Sequence, residues 1–252
     1  MPAANRSGKL EFVYEKGYYY YTHSEGKWRR LYPTGFEKIT ENNKTGYRII
    51  GNNSANYGDI GKFAVDASYS SQASTVKGAT GDYSFAAGFN TTASGNYAAS
   101  VGSLNTSQGE GSFTAGVTNK ANGKFSLAFG RNSIAAGDYS LAIGTSDTTP
   151  IAPKTIAIYA AAIGQNAKAG ANHALAFGSN AKATDVSAVS IGYETEAHSN
   201  TSVALGRQSK VDTNSNFAVA IGYANVVESG SPYAVAMGGT TVANGVAAIA
   251  MG

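Results

Sequence analysis

The sequence predicts an all-β chain: a parallel β-solenoid of about twelve 14-residue coils, preceded by a small antiparallel β module. Three observations predict it. A glycine-ended unit returns at near-constant spacing through residues 77–252, large and small residues alternate inside each unit, and Gly supplies 31 of 252 residues against only 5 Pro. That glycine share suits tight corners and lacks the proline of a collagen.

The repeat carries most of the argument. Units such as Gly81 to Gly88, Gly123 to Gly130 and Gly137 to Gly144 end on glycines at 88, 102, 116, 130, 144, 164, 178, 192, 206, 222, 238 and 252. Four residues before that glycine the chain always places Ser or Ala, as in Ser84, Ala98, Ser126 and Ala218, and two before it always Ala, Ser or Thr, as in Ala86, Ser100, Thr114 and Ala204. The positions between are mostly large: Phe85, Leu127, Leu141, Leu175 and Val219 in one column, Val101, Phe129, Ile143, Ile163 and Leu205 in the next. Period two is a strand. A polar turn and a second short run follow each glycine, as in Gln165 to Ala169, so one unit makes a coil of two strands and two turns. A helix is excluded, because each interior Gly would cost it about 1 kcal/mol.

A coil this short has a flat interior that admits methyl and hydroxymethyl groups, so the small columns point inward. The large columns then face out and form an apolar stripe, about 55 to 60 Å long at a strand spacing of about 4.8 Å. No ordinary monomer leaves such a stripe open. Cyclic self-association is the simplest cover, because identical stripes meet in register. The expected interface residues are Leu127, Phe129, Leu141, Ile143, Val203, Leu205, Val219 and Ile221.

The core of these units reads Ser140-Leu141-Ala142-Ile143-Gly144, Ser202-Val203-Ala204-Leu205-Gly206 and Ala218-Val219-Ala220-Ile221-Gly222. It resembles the SVAIG-type repeat in the head domains of YadA-like trimeric autotransporter adhesins, and the resemblance covers about residues 80–252. What it implies is a left-handed parallel β-roll, a homotrimer, and non-enzymatic binding of a host or matrix protein or a surface glycan. The setting it implies is extracellular, at a bacterial cell surface and anchored to the outer membrane in the full protein. Neck, heptad stalk and membrane anchor are absent from this sequence, which is therefore expected to be a fragment or fibre segment whose last coil is continued or capped by another chain. Two other readings stay open: a receptor-binding or structural tail fibre on a phage or contractile injection particle, and a solenoid polysaccharide depolymerase.

Residues 1–8 are expected to be a disordered start. Residues 9–76 do not repeat, hold nine of the sixteen Tyr and the only Trp, and are expected to form a small Tyr-rich β module capping the roll, which occupies 77–252. Gly17 and Ser24-Glu25-Gly26 mark hairpin turns there. The module also resembles segments that precede such heads in adhesins and phage-like tail fibres.

Candidate binding residues come from three places. Tyr18, Tyr20, Trp28 and Arg29 suit sugar stacking or anion binding, beside the plainer reading of a sheet with core and surface tyrosines. An aromatic column five residues before the glycine (Tyr83, Tyr97, Phe125, Tyr139, Tyr159, Phe217, Tyr233, with His173 in line) offers a ring ladder that either binds glycans or stabilises the roll by stacking. The departures from period 14 become surface loops: a six-residue excess around Thr148, Thr149, Pro150, Ile151 and Lys154, and two-residue excesses near Thr213 to Asn216 and Ser229 to Pro232.

The remaining classes fall away. Cys is 0, so disulfides, thiolate metal sites and cysteine nucleophiles are excluded. No cofactor or metal is expected: His23 and His198 are read as lacking a carboxylate at ligand spacing. Carboxylates are read as falling one per coil or fewer, so catalytic residues are expected to be none. The net charge of +3 arises entirely in residues 1–76, too diffuse for nucleic acid. No apolar run is long enough to insert into a membrane, and the polar start is no secretory signal.

Overall fold

The computed structural model describes residues 11–15, 18–22, 28–31, 35–145, 154–155 and 157–252, with side chains for 35–145 and 157–252. The start at 1–8 lies outside the described residues. The chain divides into two compact units, residues 1–37 with 49–51 and residues 38–48 with 52–252.

In the smaller unit β1 (Glu11–Glu15), β2 (Tyr18–Thr22) and β3 (Trp28–Leu31) form an antiparallel sheet in that order. Glu15 pairs with Tyr18, which fits the turn signalled by Gly17. The second pairing sets Arg29 against Tyr21 and Arg30 against Tyr20.

The larger unit is the solenoid. A 15-stranded sheet begins at the hairpin of β4 (Phe36–Glu41) and β5 (Lys44–Ile49), continues through β6 (Val65–Tyr69), and then takes one strand from every coil. Asn42 and Asn43, at φ 47° and 60°, close the hairpin with the left-handed pair that a two-residue turn demands. A 12-stranded sheet of two-residue strands collects the second run of each coil. From β5 to β6 onward the strands pair in parallel, and glycine stacks on glycine, as Gly116 does on Gly130 and Gly206 on Gly222. Each column of the sequence thus becomes a physical row.

The two sheets enclose the small columns. Ala86, Ser100, Thr114, Ala128, Ala142, Ala204 and Ala220 are fully buried, and Ala162, Ala176 and Ala204 of the long sheet pack in one cluster with Ala169, Ala183 and Ala197 of the short one. Where the coil lengthens the interior widens. The segments from Gly206 to Gly222 and from Gly222 to Gly238 each run two residues over the usual length, and each places a fully buried valine, Val211 or Val227, where neighbours carry Ala169, Ala183 or Ala243. An expectation of methyls and hydroxymethyls alone is therefore corrected by these valines and by buried Asn105, Asn119 and Asn225.

Those asparagines satisfy backbone that the turn after each glycine would otherwise strand. Asn119 Nδ2 donates to the carbonyls of Ala115 and Gly130 at 2.9 and 2.8 Å, while its Oδ1 accepts from Ser133 N at 2.8 Å. Asn105 and Asn225 repeat the pattern. Such groups would cost about 1 to 3 kcal/mol if buried without partners.

The glycine column is compulsory for two reasons. At Gly130 φ is 105°, and an added Cβ would meet the carbonyl oxygen of Gly144 in the next coil. Two further corners per coil adopt left-handed backbone. One holds Asn90, Asn132, Asn166, Asn180, Glu194 and Gln208, and the other is the aromatic column, with Tyr83, Phe125, Tyr139 and Phe217 between 51° and 60°.

Candidate functional surfaces

The outer side of the long sheet carries the large columns. Among the eight expected interface residues, Leu127 is exposed and Phe129, Leu141, Ile143, Val203, Leu205, Val219 and Ile221 are half-buried. Each strand alternates these positions with fully buried small ones, so the register leaves the large residues only the outward direction. The row continues through Phe177 at 50% and Met237 at 40% exposure.

The aromatic column is a ladder at the corner. Ring centroids lie 5.2 Å apart for Tyr83 and Tyr97, 5.6 Å for Phe125 and Tyr139, 5.0 Å for Tyr139 and Tyr159, and 5.4 Å for Phe217 and Tyr233. His173 extends it by stacking on Tyr159 at 5.4 Å, and Phe63 of the preceding coil reaches Tyr83 at 5.5 Å. Stacked rings turn their faces to one another and present edges to solvent. That geometry offsets the strain of placing bulky residues at positive φ and leaves little ring face free for a sugar.

The outer side of the short sheet is polar, and here two expectations need correction. Glu194 and Glu196 occupy one coil, and His198 does have a carboxylate partner: its Nε2 lies 3.1 Å from Glu196 Oε2. The two face each other because residues two apart share a strand side. His198 Nδ1 is 2.7 Å from Thr184 Oγ1 one coil away, and Lys182 Nζ donates to Glu196 at 2.6 Å. Burial raises the Glu196 carboxyl, but the bonds and charge from Lys182 and His198 outweigh it and hold it below its ordinary value. Gln208 donates to Glu194 at 2.9 Å, and Asn166 to Asn180 at 3.2 Å. Among the described residues no group of three or more His, Cys, Asp or Glu is placed to hold a metal ion.

At the start of the roll Arg48 is 3% exposed and reaches Glu41 at 3.1 Å, the Gly58 carbonyl at 3.0 Å and fully buried Asp66 at 3.4 Å. Its guanidinium also lies 4.7 Å from the Tyr57 ring centroid. With Ile60 and Ala64 buried against Ala79, Ala86 and Ala93, this network ties the segment before the first repeat to the first coils. An ion pair this deep costs desolvation unless every charge is paired, and Glu41, Asp66 and the Gly58 carbonyl supply the pairs.

The remaining candidates fare differently. Thr148, Thr149, Pro150 and Ile151 lie outside the described residues. Lys154 belongs to a strand in register with Ile134 and Lys168, so the six-residue excess precedes it; its side chain, like those of Tyr18, Tyr20, Trp28 and Arg29, is outside the described set. The two-residue excesses are built into the roll. Ser229 Oγ donates to the Thr213 carbonyl at 2.9 Å, and Ser231 N to Ser215 Oγ at 3.1 Å, so the lengthened corners stack on each other.

Comparison with known proteins agrees with this geometry. No curated protein matches the chain. The family description "YadA head domain repeat" matches residues 79–105, 121–146, 156–181, 171–195, 183–209, 197–225 and 231–252. A parallel roll whose coils end on a stacked glycine, with small residues inside and an outward apolar row, is thus matched over more than half its length, and the chain belongs to the family of YadA head domain repeats, an adhesin-type fold of trimeric autotransporters.

Proposed function

We propose that the chain is the head of a homotrimeric, non-enzymatic surface adhesin that binds a host or matrix ligand through repeated weak contacts. The observation that carries this reading is the continuous outward row of apolar side chains on the long sheet, from Phe85 to Met251. Family membership supports three copies as the assembly that covers it. Three identical rods side by side present every outward loop at one height in triplicate, which raises avidity without any new contact. A cell-surface setting follows from that role. Residues 52–76, together with Arg48, act as the cap of the first coil, a role supported by the Arg48 network and by Ile60.

Sedimentation equilibrium at micromolar concentration tests the assembly. A trimer of the 25.8 kDa chain is expected, and a stable soluble monomer overturns the reading. Deleting the six extra residues between Thr145 and Lys154 tests the loop, since Ile134 and Lys168 already flank Lys154 in register. The shortened chain should still fold and assemble while adhesion to cells or matrix falls. Unchanged adhesion assigns recognition to another surface.

A further inference from the structure

The outward side of the short sheet holds an open groove of about 460 Å³ lined by Asn166, Asn180, Lys182, Glu194, Glu196 and Gln208. We propose that it is a subsite for an uncharged oligosaccharide lying along the rod, which deepens the adhesin reading and rests on it.

The lining is the first argument. All six side chains are polar, and together they present amide donors, amide acceptors, carboxylates and one ammonium group. Sugar hydroxyls both donate and accept, and this mixture meets them in either role. A protein partner would need an apolar or aromatic anchor pocket, which the groove lacks. Rows recur at one coil, about 4.8 Å, close to the length of one sugar residue, so successive sugars meet equivalent rows.

The groove is also held in shape before any ligand arrives. Lys182 and His198 fix Glu196, and Thr184 fixes His198. Gln208 fixes Glu194, which is also bonded to Tyr193 and raises that phenol above its usual value. The Asn166 side-chain oxygen is buried without a hydrogen-bond partner, an acceptor that a bound hydroxyl would satisfy after a small shift of the amide. Beside the groove the Tyr193 ring is 45% exposed. The Arg207 guanidinium stands 5.7 Å from its ring centroid, so a sugar would meet the ring on its remaining surface.

Charge selects among glycans. The lining sets two carboxylates against one lysine, and neighbouring Lys210 is paired with Asp212, which disfavours a sulfated or uronic-acid chain relative to a neutral one. The groove also faces away from the apolar row, because the two sheets turn their inner sides to each other, so a trimer closed through the long sheet leaves three grooves in solvent at one height.

The test uses the full chain against chitotetraose and cellotetraose, with a heparin tetrasaccharide as the polyanionic probe, read by titration calorimetry. Glu194→Gly combined with Gln208→Gly removes two groove side chains at φ 54° and 58°, where glycine sits without strain, so the roll keeps its melting temperature. The parent should bind a neutral tetrasaccharide, and the double variant should bind it about tenfold more weakly or worse. Equal affinity in the two proteins, or binding of heparin alone, overturns the proposal. A parent that adheres to cells or matrix yet binds neither neutral probe overturns the groove and leaves adhesion standing. A parent that binds a neutral probe through the groove but adheres to nothing supports the groove and overturns the adhesin reading alone.

Discussion

The two outward faces of the roll share one backbone repeat and one interior, yet they have opposite chemistry. On the long sheet, outward positions such as Leu141, Ile143, Val203 and Leu205 are apolar and half-buried. On the short sheet, outward positions such as Lys168, Lys182, Glu196 and Lys210 are charged; Lys182 pairs with Glu196 across coils and Lys210 with Asp212 within its own. The interior cannot distinguish the faces, since Ala142 and Ala183 are equally buried. A solenoid of small residues therefore separates its tasks: glycine and alanine columns build the rod, and each outer face is free to specialise. The apolar face gains by being covered, and the polar face gains by staying wet.

The sharpest way to break that contrast is to put the same charge on each face. In the proposed trimer Ile143→Asp would bury three carboxylates around one axis, at a cost to the assembly on the order of 3 to 5 kcal/mol. Lys168→Asp, on the exposed side, should leave assembly intact. If both variants sediment like the parent, the long sheet is not the interface.

A smaller effect separates inside from outside. Ala142→Leu overpacks a site with no free volume and should cost about 1 to 3 kcal/mol per copy, whereas Asn166→Ser at a corner should cost little. Equal melting temperatures would show that the interior has been misplaced. Asn119→Ala should cost about 1 to 2 kcal/mol per copy, because Ser133 N and the Gly130 carbonyl lose a buried partner. Asn122→Ala, on an exposed corner, is the control for it.

The smallest effect is electrostatic and belongs to the polar face. The folded-state value of Glu196 is lowered, so its contribution is fully present above the ordinary glutamate value of 4.5 and is lost as pH falls through the lowered folded value. The pair is partly exposed, so the loss should stay below about 1 kcal/mol and shrink with added salt. Melting followed from pH 7 to pH 3 should therefore fall slightly less in Glu196→Gln than in the parent. Identical profiles would mean that the Lys182, Glu196 and His198 contacts contribute nothing to stability.

Much of this was legible in the sequence because a stacked repeat imposes the same environment on every copy of a column. The glycine at 130 and its counterparts, the small residues at 128 and 142 and the rings at 139 and 159 each read directly as corner, interior and ladder. Buried Asn119 did not, since an asparagine three residues after a glycine reads as part of an ordinary exposed turn. Its amide finds the Gly130 carbonyl only once coils stack, eleven residues on along the chain. Nor did the contact of Glu196 with His198 emerge as a partnership, although their spacing was in plain view. It becomes meaningful when Lys182 and Thr184 arrive from the coil before, fourteen residues away from each partner. Val211 and Val227 carried a signal that could have been used, because both fall in segments two residues over length.

By itself the sequence determined the coil, its two strand directions and the sorting of side chains by size. Those follow from local alternation and from glycine's tolerance of positive φ, repeated until stacking is the only way to bury the small columns. Tertiary structure alone decided which polar groups meet, which rings share faces and where the polar groove lies. Each of those contacts joins residues about one coil apart, and the stacking register that brings them together is a property of neighbouring coils packed in parallel rather than of any one coil.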